Sequence, residues 1–462
     1  MSGEHVSDAV ALLREGQVSS EELTHAALAR IEQTDAKLNA YLAVTAEIAL
    51  AQARAADQRR AAGDRVGPLL GVPFSLKDNI DTSGVPTTCG SGFLRDRVPD
   101  ADASVVRRLR AAGAVMVGKV NLHEFAWGGS TENEHFGPTR NPWDLTRNAA
   151  GSSGGSGAAV AADTCTFSLG TDTGGSIRLP ASANGVTGLR PTVGLISDDG
   201  VFPLAWSMDT VGPLARSARD IALVLRAIEG PEGVGPAAEA HRRSEPDVPH
   251  DLTGRVIGWD EEFASGGCLP GVLAALKAAL GEMESLGAKI VPVSLPDTEL
   301  VQKAWSVIHI AEPAAVHREL LRKHADEYGA DVRALLQLGE LLPATDYIQA
   351  QRFRSAVRSR TWAALRGVDV LALPTAGWIP SVLGRNPLDA VRDLTGVTTG
   401  LRFYTCFASM LAAPALTIPV GFAEELPVGL QLVGRPFEDS TLLAAGEVFQ
   451  NHTDWHLRRP PV

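Results

Sequence analysis

Residues 148–180 read NAAGSSGGSGAAVAADTCTFSLGTDTGGSIRLP and contain two clusters of small residues, at 151–156 and 171–176. Between the clusters, the pattern predicts a helix of small residues followed by a short apolar strand. Glycines at this density allow positive φ angles and a close approach of the backbone to a ligand. Successive unpaired N–H groups in such a turn can point at one anionic atom. Serines in this setting are therefore candidate nucleophiles beside an oxyanion hole.

Two other interpretations of these clusters have to be considered. Gly/Ser runs are often flexible linkers, but a linker is not followed by an alanine-rich helix and a second Gly/Ser turn. A phosphate-binding loop requires a lysine and then Ser or Thr after its glycines, and residues 151–157 contain no lysine. Composition alone leaves a catalytic role and a structural role equally open.

The order of residues in this stretch resembles the signature of the amidase signature family. The second half of that signature is present in full at Gly170–Arg178, whereas Ala150 stands where the family usually has a glycine. The resemblance implies a catalytic set of two serines and one lysine. On this chain the nucleophile is Ser176, the bridging serine is Ser152 and the lysine is Lys77.

The sequence around Lys77 is compatible with that assignment. Residues 69–76 form a short apolar run, which predicts a strand that delivers Lys77 to the edge of a sheet. A single lysine is normally a solvated surface charge, but desolvation would depress its pKa and make it a general base at neutral pH. Lys119 is the rival lysine, and the segment that contains it is assigned to packing around the site.

The resemblance implies further site features. The backbone amides of Thr173, Gly174, Gly175 and Ser176 are expected to form the oxyanion hole, and a cis peptide bond is expected between Gly151 and Ser152. Substrate-binding residues at the mouth of the site are expected to be Gly128, Gly129 and Ser130.

Charged residues near these motifs are assigned structural roles. Asp172 and Arg178 are expected to pair and to hold the turn that carries the nucleophile. His123 and Glu124 could begin a zinc motif, but the zincin pattern needs a second histidine at 127, where this chain has Trp127. We therefore predict no metal site and no cofactor.

The chain of 462 residues is predicted to be one large α/β domain, 1–462, with a mixed central β-sheet of many strands covered by helices on both faces. This fold is what the resemblance implies. Within it we expect N-terminal helices at 7–62, the signature core at 67–220, an exposed loop at 231–249 and a variable helical substrate-pocket region at 297–366.

Charge and composition limit the partners. A net charge of −12 argues against a nucleic-acid-binding surface, which needs clustered Lys and Arg. The four cysteines are widely spaced and form no metal-ligand pattern. No export signal or membrane span is evident, so a cytoplasmic location without membrane contact is expected. The resemblance also allows a homodimer.

The sequence therefore predicts an amidase that hydrolyses a small-molecule amide through an acyl-enzyme on Ser176. Within the same family, the alternative is the glutaminase component of a tRNA-dependent amidotransferase, which passes ammonia to a partner subunit. A non-catalytic scaffold is a third hypothesis, and the intact set of Ser176, Ser152 and Lys77 argues against it. The aromatic residues within 297–366 favour an uncharged aryl or alkyl acyl group.

Overall fold

One mixed β-sheet runs through the computed structural model, which describes residues 5–64, 67–230, 249–384 and 403–462. Among these residues the sheet has 11 strands in the order β1-β3-β2-β6-β8-β7-β12-β13-β11-β9-β10. A separate small hairpin pairs β4 with β5. The strands are β1 (Tyr41–Val44), β2 (Pro73–Lys77), β3 (Val115–Val120), β4 (Glu132–Asn133), β5 (Gly137–Pro138), β6 (Phe167–Thr171), β7 (Thr187–Arg190), β8 (Val211–Ala215), β9 (Val256–Trp259), β10 (Lys289–Pro292), β11 (Val370–Pro374), β12 (Ala415–Ala423) and β13 (Leu426–Val433).

Helices flank the sheet, and the predicted α/β fold with a mixed central sheet is confirmed. The longer helices of the described residues are Val6–Arg14, Ser20–Leu38, Ala46–Ala61, Ser104–Ala112, Gly154–Ala161, Arg178–Asn184, Ala218–Ile228, Pro270–Ser285, Thr298–His324, Ala330–Glu340, Ala344–Ala364, Tyr404–Leu411 and Asp439–His452. A short helix, Glu261–Ser265, follows β9. No helix in the described part of the chain combines the length and apolarity needed to cross a membrane.

The parallel pairing of β2 with β6 positions the functional segments. Leu76 of β2 lies opposite Leu169 of β6, so that Lys77 and Thr171 end their strands at the same edge of the sheet. The turn 172–176, which is the second cluster, follows β6 directly. The helix Gly154–Ala161, which begins within the first cluster, comes before β6 in the chain. Both Gly/Ser clusters therefore meet Lys77 at the carboxyl ends of two neighbouring parallel strands.

Local sequence features fix the ends of two helices and one edge of the sheet. Ser19 caps the helix Ser20–Leu38 through a capping box with Glu22. Gly113 ends the helix Ser104–Ala112 in the left-handed conformation with φ of 83°, which glycine adopts without strain. The strand–helix–strand unit from β9 to β10 extends the sheet at one edge.

Other predictions differ from the structure or fall outside it. The segment 7–62 is not purely helical, because β1 interrupts it and pairs antiparallel with β3. The region 297–366 contains the helices Thr298–His324, Ala330–Glu340 and Ala344–Ala364. The predicted loop 231–249 lies outside the described residues except for Pro249.

Candidate active site

Lys77 is the last residue of β2, and its side chain is fully buried. Its Nζ lies 2.8 Å from Ser152 Oγ and 2.7 Å from Thr171 Oγ1. Asn79 Nδ2 also donates to Thr171 Oγ1, at 3.2 Å. Because Thr171 accepts two hydrogen bonds, it fixes the amine against Ser152.

The burial of Lys77 changes its proton affinity. Burial lowers the pKa of Lys77 to about 7, and the negative charges of Asp172 and Asp209 prevent a larger fall. A large fraction of the side chain is therefore neutral at neutral pH. A neutral amine 2.8 Å from a serine hydroxyl can accept that hydroxyl's proton.

Ser152 is buried and follows a cis peptide bond with Gly151, as the resemblance implied. Its carbonyl oxygen accepts a hydrogen bond from the His123 amide at 3.1 Å. The loop 128–130 packs against Gly151, because a Cβ on that residue would lie 2.8 Å from the Gly128 carbonyl oxygen and from the Ser130 amide nitrogen. The three predicted mouth residues are therefore next to Ser152, and Gly129 is the most exposed of them.

Ser176 is half-buried at the end of the second cluster. Its carbonyl oxygen accepts a hydrogen bond of 3.2 Å from the amide of Ser153, so the two serine-bearing segments adjoin. Within the described residues, the Ser176 hydroxyl makes no hydrogen bond to the protein, and none connects it to Ser152. Its side chain is therefore accessible to a substrate.

The predicted pair of Asp172 and Arg178 is present in the turn before Ser176. Both side chains are fully buried, and Arg178 Nε and Nη2 each lie 2.9 Å from a carboxylate oxygen of Asp172. Arg190 adds a second guanidinium, with its Nη1 3.0 Å from Asp172 Oδ1. Sequence reasoning missed this contact. Burial alone would raise the pKa of Asp172, but the two arginines and the backbone amide of Ile177 hold it well below its usual range. This network fixes the turn.

The same carboxylate restricts the oxyanion hole. The amide of Gly175 donates to Asp172 Oδ1 at 2.9 Å, so it is already occupied. In the described part of the chain, the amides of Thr173, Gly174 and Ser176 donate no hydrogen bond to the protein. Of the predicted donors, the amides of Thr173, Gly174 and Ser176 are thus available to a ligand and that of Gly175 is not.

Lys119 occupies a different environment. Its Nζ lies 3.2 Å from Asp78 Oδ1 and donates to the Ile80 carbonyl at 2.8 Å and to Thr87 Oγ1 at 2.7 Å. All these contacts are buried, and neither candidate serine is among them. The structure therefore pairs Lys77, rather than Lys119, with a signature serine.

Sequence reasoning also missed residues that touch the site. Thr171 lies inside the stretch 148–180 and Asn79 closely follows Lys77, but neither carried an assigned role. Trp305 lies against the turn, because a Cβ on Gly174 would be 2.4 Å from its ring, and Thr405 Oγ1 donates to the Gly174 carbonyl at 2.6 Å. Both residues are far from Gly174 in sequence, so no local motif signals them.

Potential metal ligands are scattered in the described residues. These residues contain no group of three or more His, Cys, Asp or Glu side chains arranged to hold a metal ion. His123 instead contacts Asp331, with its Nε2 2.7 Å from the carboxylate.

Comparison with known proteins agrees with this architecture. The family model "Amidase" matches residues 22–443. A glutamyl-tRNA(Gln) amidotransferase subunit of Moorella thermoacetica is 41% identical over 98% of this chain and 97% of its own length. A crystal structure described as an amidase has a TM-score of 0.87 at 34% identity, covering 97% of this chain and 99% of that one. The corresponding amidotransferase subunit of Thermotoga maritima has a TM-score of 0.79 at 30% identity, covering 97% and 94%.

The fold and these comparisons define a hydrolase that acts on the carbon–nitrogen bonds of amides. The chain belongs to the amidase signature family.

Proposed function

We propose that this chain hydrolyses a carboxylic amide through an acyl-enzyme on Ser176, with Ser152 and Lys77 as the proton relay. The observation that carries this proposal is the fully buried Lys77, whose Nζ lies 2.8 Å from Ser152 Oγ. Within the described residues, Lys77 is the titratable side chain that hydrogen-bonds to that hydroxyl. Because burial lowers the pKa of Lys77 to about 7, a large fraction of the amine is neutral at neutral pH and can start the relay.

Each proton in this mechanism has a defined origin and destination. Ser176 Oγ attacks the amide carbon, its proton passes to Ser152, and the Ser152 proton passes to Lys77. When the tetrahedral intermediate collapses, the C–N bond breaks, and the same relay in reverse protonates the departing amine. Water then attacks the acyl ester and gives the carboxylate and free Ser176.

The developing oxyanion needs donors that are not already used. We assign that role to the amides of Thr173, Gly174 and Ser176, because these amides donate no hydrogen bond within the described residues. Removal of one such donor typically costs about 10²- to 10³-fold in rate. The loop of Gly128, Gly129 and Ser130 is proposed to line the substrate entrance, and the helical region 297–366 to shape the acyl pocket.

A Ser152→Ala variant tests the relay. We expect kcat to fall by about 10²- to 10⁴-fold, because the proton of Ser176 loses its route to Lys77. Ser153→Ala is the matched control, since among the described residues that hydroxyl donates to the Thr171 carbonyl and not to Lys77 or Ser176. A rate within about threefold of wild type in Ser152→Ala would remove Ser152 from the mechanism.

Two forms of this function remain as candidates. In the first, the chain is a free-standing amidase. In the second, it is the glutaminase component of an amidotransferase. The relative at 41% identity bears the name of an amidotransferase subunit and supports the second form more strongly than the motifs did. The solved amidase superposes better than the solved amidotransferase subunit, with TM-scores of 0.87 and 0.79, which supports the first.

The partners differ between the two forms. A free-standing amidase needs only its small-molecule substrate. A component of an enzyme that acts on glutamyl-tRNA has a protein partner and comes close to a nucleic acid, which our expectation from charge did not include. A homodimer stays a prediction in either form.

Ammonia release by the purified chain distinguishes these forms. The panel contains aliphatic amides, aryl amides and glutamine, with Ser176→Ala as the control. Release from simple amides that the variant abolishes would support the free-standing form. Release from glutamine alone would support the amidotransferase form. Equal release by wild type and variant would refute the proposed chemistry.

A further inference from the structure

Three buried aromatic rings form a row near the candidate site. They belong to Trp305, His309 and Trp127, whose exposed fractions are 2%, 5% and 1%. Trp305 stacks on His309 with ring centroids 4.4 Å apart, and Trp127 meets His309 edge-on at 5.9 Å. The rings thus form one continuous cluster, the Trp–His–Trp row.

The row spans the two sides of the site. At one end, Trp305 Nε1 lies 3.3 Å from where a Cβ on Gly174 would stand, in the turn that precedes Ser176. At the other end, Trp127 directly precedes Gly128, whose loop packs against Gly151 beside Ser152. The row therefore connects the turn that carries Ser176 with the loop that packs beside Ser152.

Each ring in the row has a buried nitrogen that forms no hydrogen bond with the part of the chain that the structure describes. The Nε1 atoms of Trp305 and Trp127 and the Nδ1 atom of His309 are buried and form no hydrogen bond with the protein in the described residues. A buried donor without a partner is destabilising, and native structures satisfy nearly all such groups. Three such polar atoms on adjoining rings, one of which lies against the turn that carries Ser176, point to a polar ligand.

The charge of the row restricts that ligand. Burial lowers the pKa of His309 to about 3, so its imidazole is neutral at physiological pH. Two indole N–H groups and a neutral imidazole offer hydrogen bonds but no charge to balance an ion. Burial of an unpaired charge is costly, whereas a planar neutral group stacks well among aromatic rings.

We propose that Trp305, His309 and Trp127 form the acyl-group subsite, which selects neutral planar amides that carry a hydrogen-bond acceptor beyond the scissile carbonyl. This inference rests on the proposed amidase function and adds its substrate class. Pyridine carboxamides and benzamide are suitable probes, because they have the same shape and differ only in the ring nitrogen that accepts a hydrogen bond.

A binding experiment tests the subsite without any turnover. Benzamide and the three pyridine carboxamides are titrated into Ser176→Ala, and the indole N–H signals are followed by ¹H–¹⁵N NMR. Trp305→Phe in that background identifies the Trp305 signal, and Trp455→Phe, at the C-terminal end of the chain, is the matched control. We expect at least one pyridine carboxamide to shift the Trp305 signal and to bind about tenfold more tightly than benzamide, the effect of one hydrogen bond. No preference over benzamide would overturn the proposal.

Kinetics of the active enzyme provide the second test. We expect Trp305→Phe to lower kcat/KM for the preferred pyridine carboxamide about tenfold, mainly by raising KM. The value of kcat/KM for benzamide should change by less than about threefold. An equal loss on both substrates would indicate a structural role for Trp305 and overturn the subsite. A preference of the wild type for glutamine over every neutral amide would also overturn the subsite. If no amide is hydrolysed, the proposed function fails, while the binding experiment still decides the subsite.

Discussion

Ser176→Ala is expected to reduce amide hydrolysis by about 10⁴-fold or more, because the substitution removes the atom that forms the acyl bond. The oxyanion amides and the binding pocket remain, so a small residual rate from direct attack by water is expected. Substrate binding should persist for the same reason.

The controls for this variant follow from its surroundings. The Ser176 hydroxyl makes no hydrogen bond with the protein in the described structure, so its removal should leave the melting temperature close to that of wild type. Ser265→Ala removes the hydroxyl of an exposed serine and should retain full activity. Comparable turnover by Ser176→Ala and wild type would contradict the nucleophile assignment.

The second large effect is expected at Lys77. The neutral amine is the active form, and its pKa is about 7. Below that pH the amine becomes protonated and cannot accept the serine proton. We therefore expect kcat/KM of the wild type to rise through pH 7 and to fall by about tenfold for each pH unit below about 6.

Lys77→Ala tests whether this inflection belongs to the lysine. The variant's kcat/KM should be at least about 10²-fold below that of wild type at pH 7, and its residual activity should not show the inflection near pH 7. Circular dichroism must accompany the kinetics, because the substitution leaves a cavity beside Ser152. A wild-type profile that is flat between about pH 6 and 8, or an inflection that persists in the variant, would place the base elsewhere.

The parts of the site that could be predicted lie in segments that are continuous in the sequence. The Gly/Ser clusters and the apolar run before Lys77 are continuous in sequence. Their residue order resembles the family signature, and that resemblance made Lys77, Ser152 and Ser176 the candidates. The pairing of β2 with β6 then brings these segments to one edge of the sheet.

The missed features all depend on contacts between distant segments. Arg190 reaches Asp172 because β7 lies in the middle of the sheet, and no motif around Asp172 signals it. Trp305 reaches Gly174 from the helix Thr298–His324. The strand β1 has only four residues and lies between two helices, so its pairing with β3 was not evident.

The availability of backbone amides also could not be predicted from the sequence. The glycines of the second cluster all looked equivalent as oxyanion donors. In the folded turn, the Asp172 carboxylate accepts a hydrogen bond from the Gly175 amide, whereas the amides of Thr173, Gly174 and Ser176 stay available to a ligand. Gly175 has φ of 137°, and a Cβ there would lie 2.5 Å from Thr405 Oγ1, so this position requires glycine for conformation and space.

The measurement that tests the central claim most directly is the partitioning of the acyl group between water and hydroxylamine. Substrates that share one acyl group but differ in the departing amine are hydrolysed in the presence of hydroxylamine, and the ratio of hydroxamate to carboxylate is determined. An acyl-enzyme on Ser176 predicts the same ratio for every amine, because all the substrates pass through one intermediate. A ratio that changes with the amine, or turnover without any hydroxamate, would contradict covalent catalysis by Ser176.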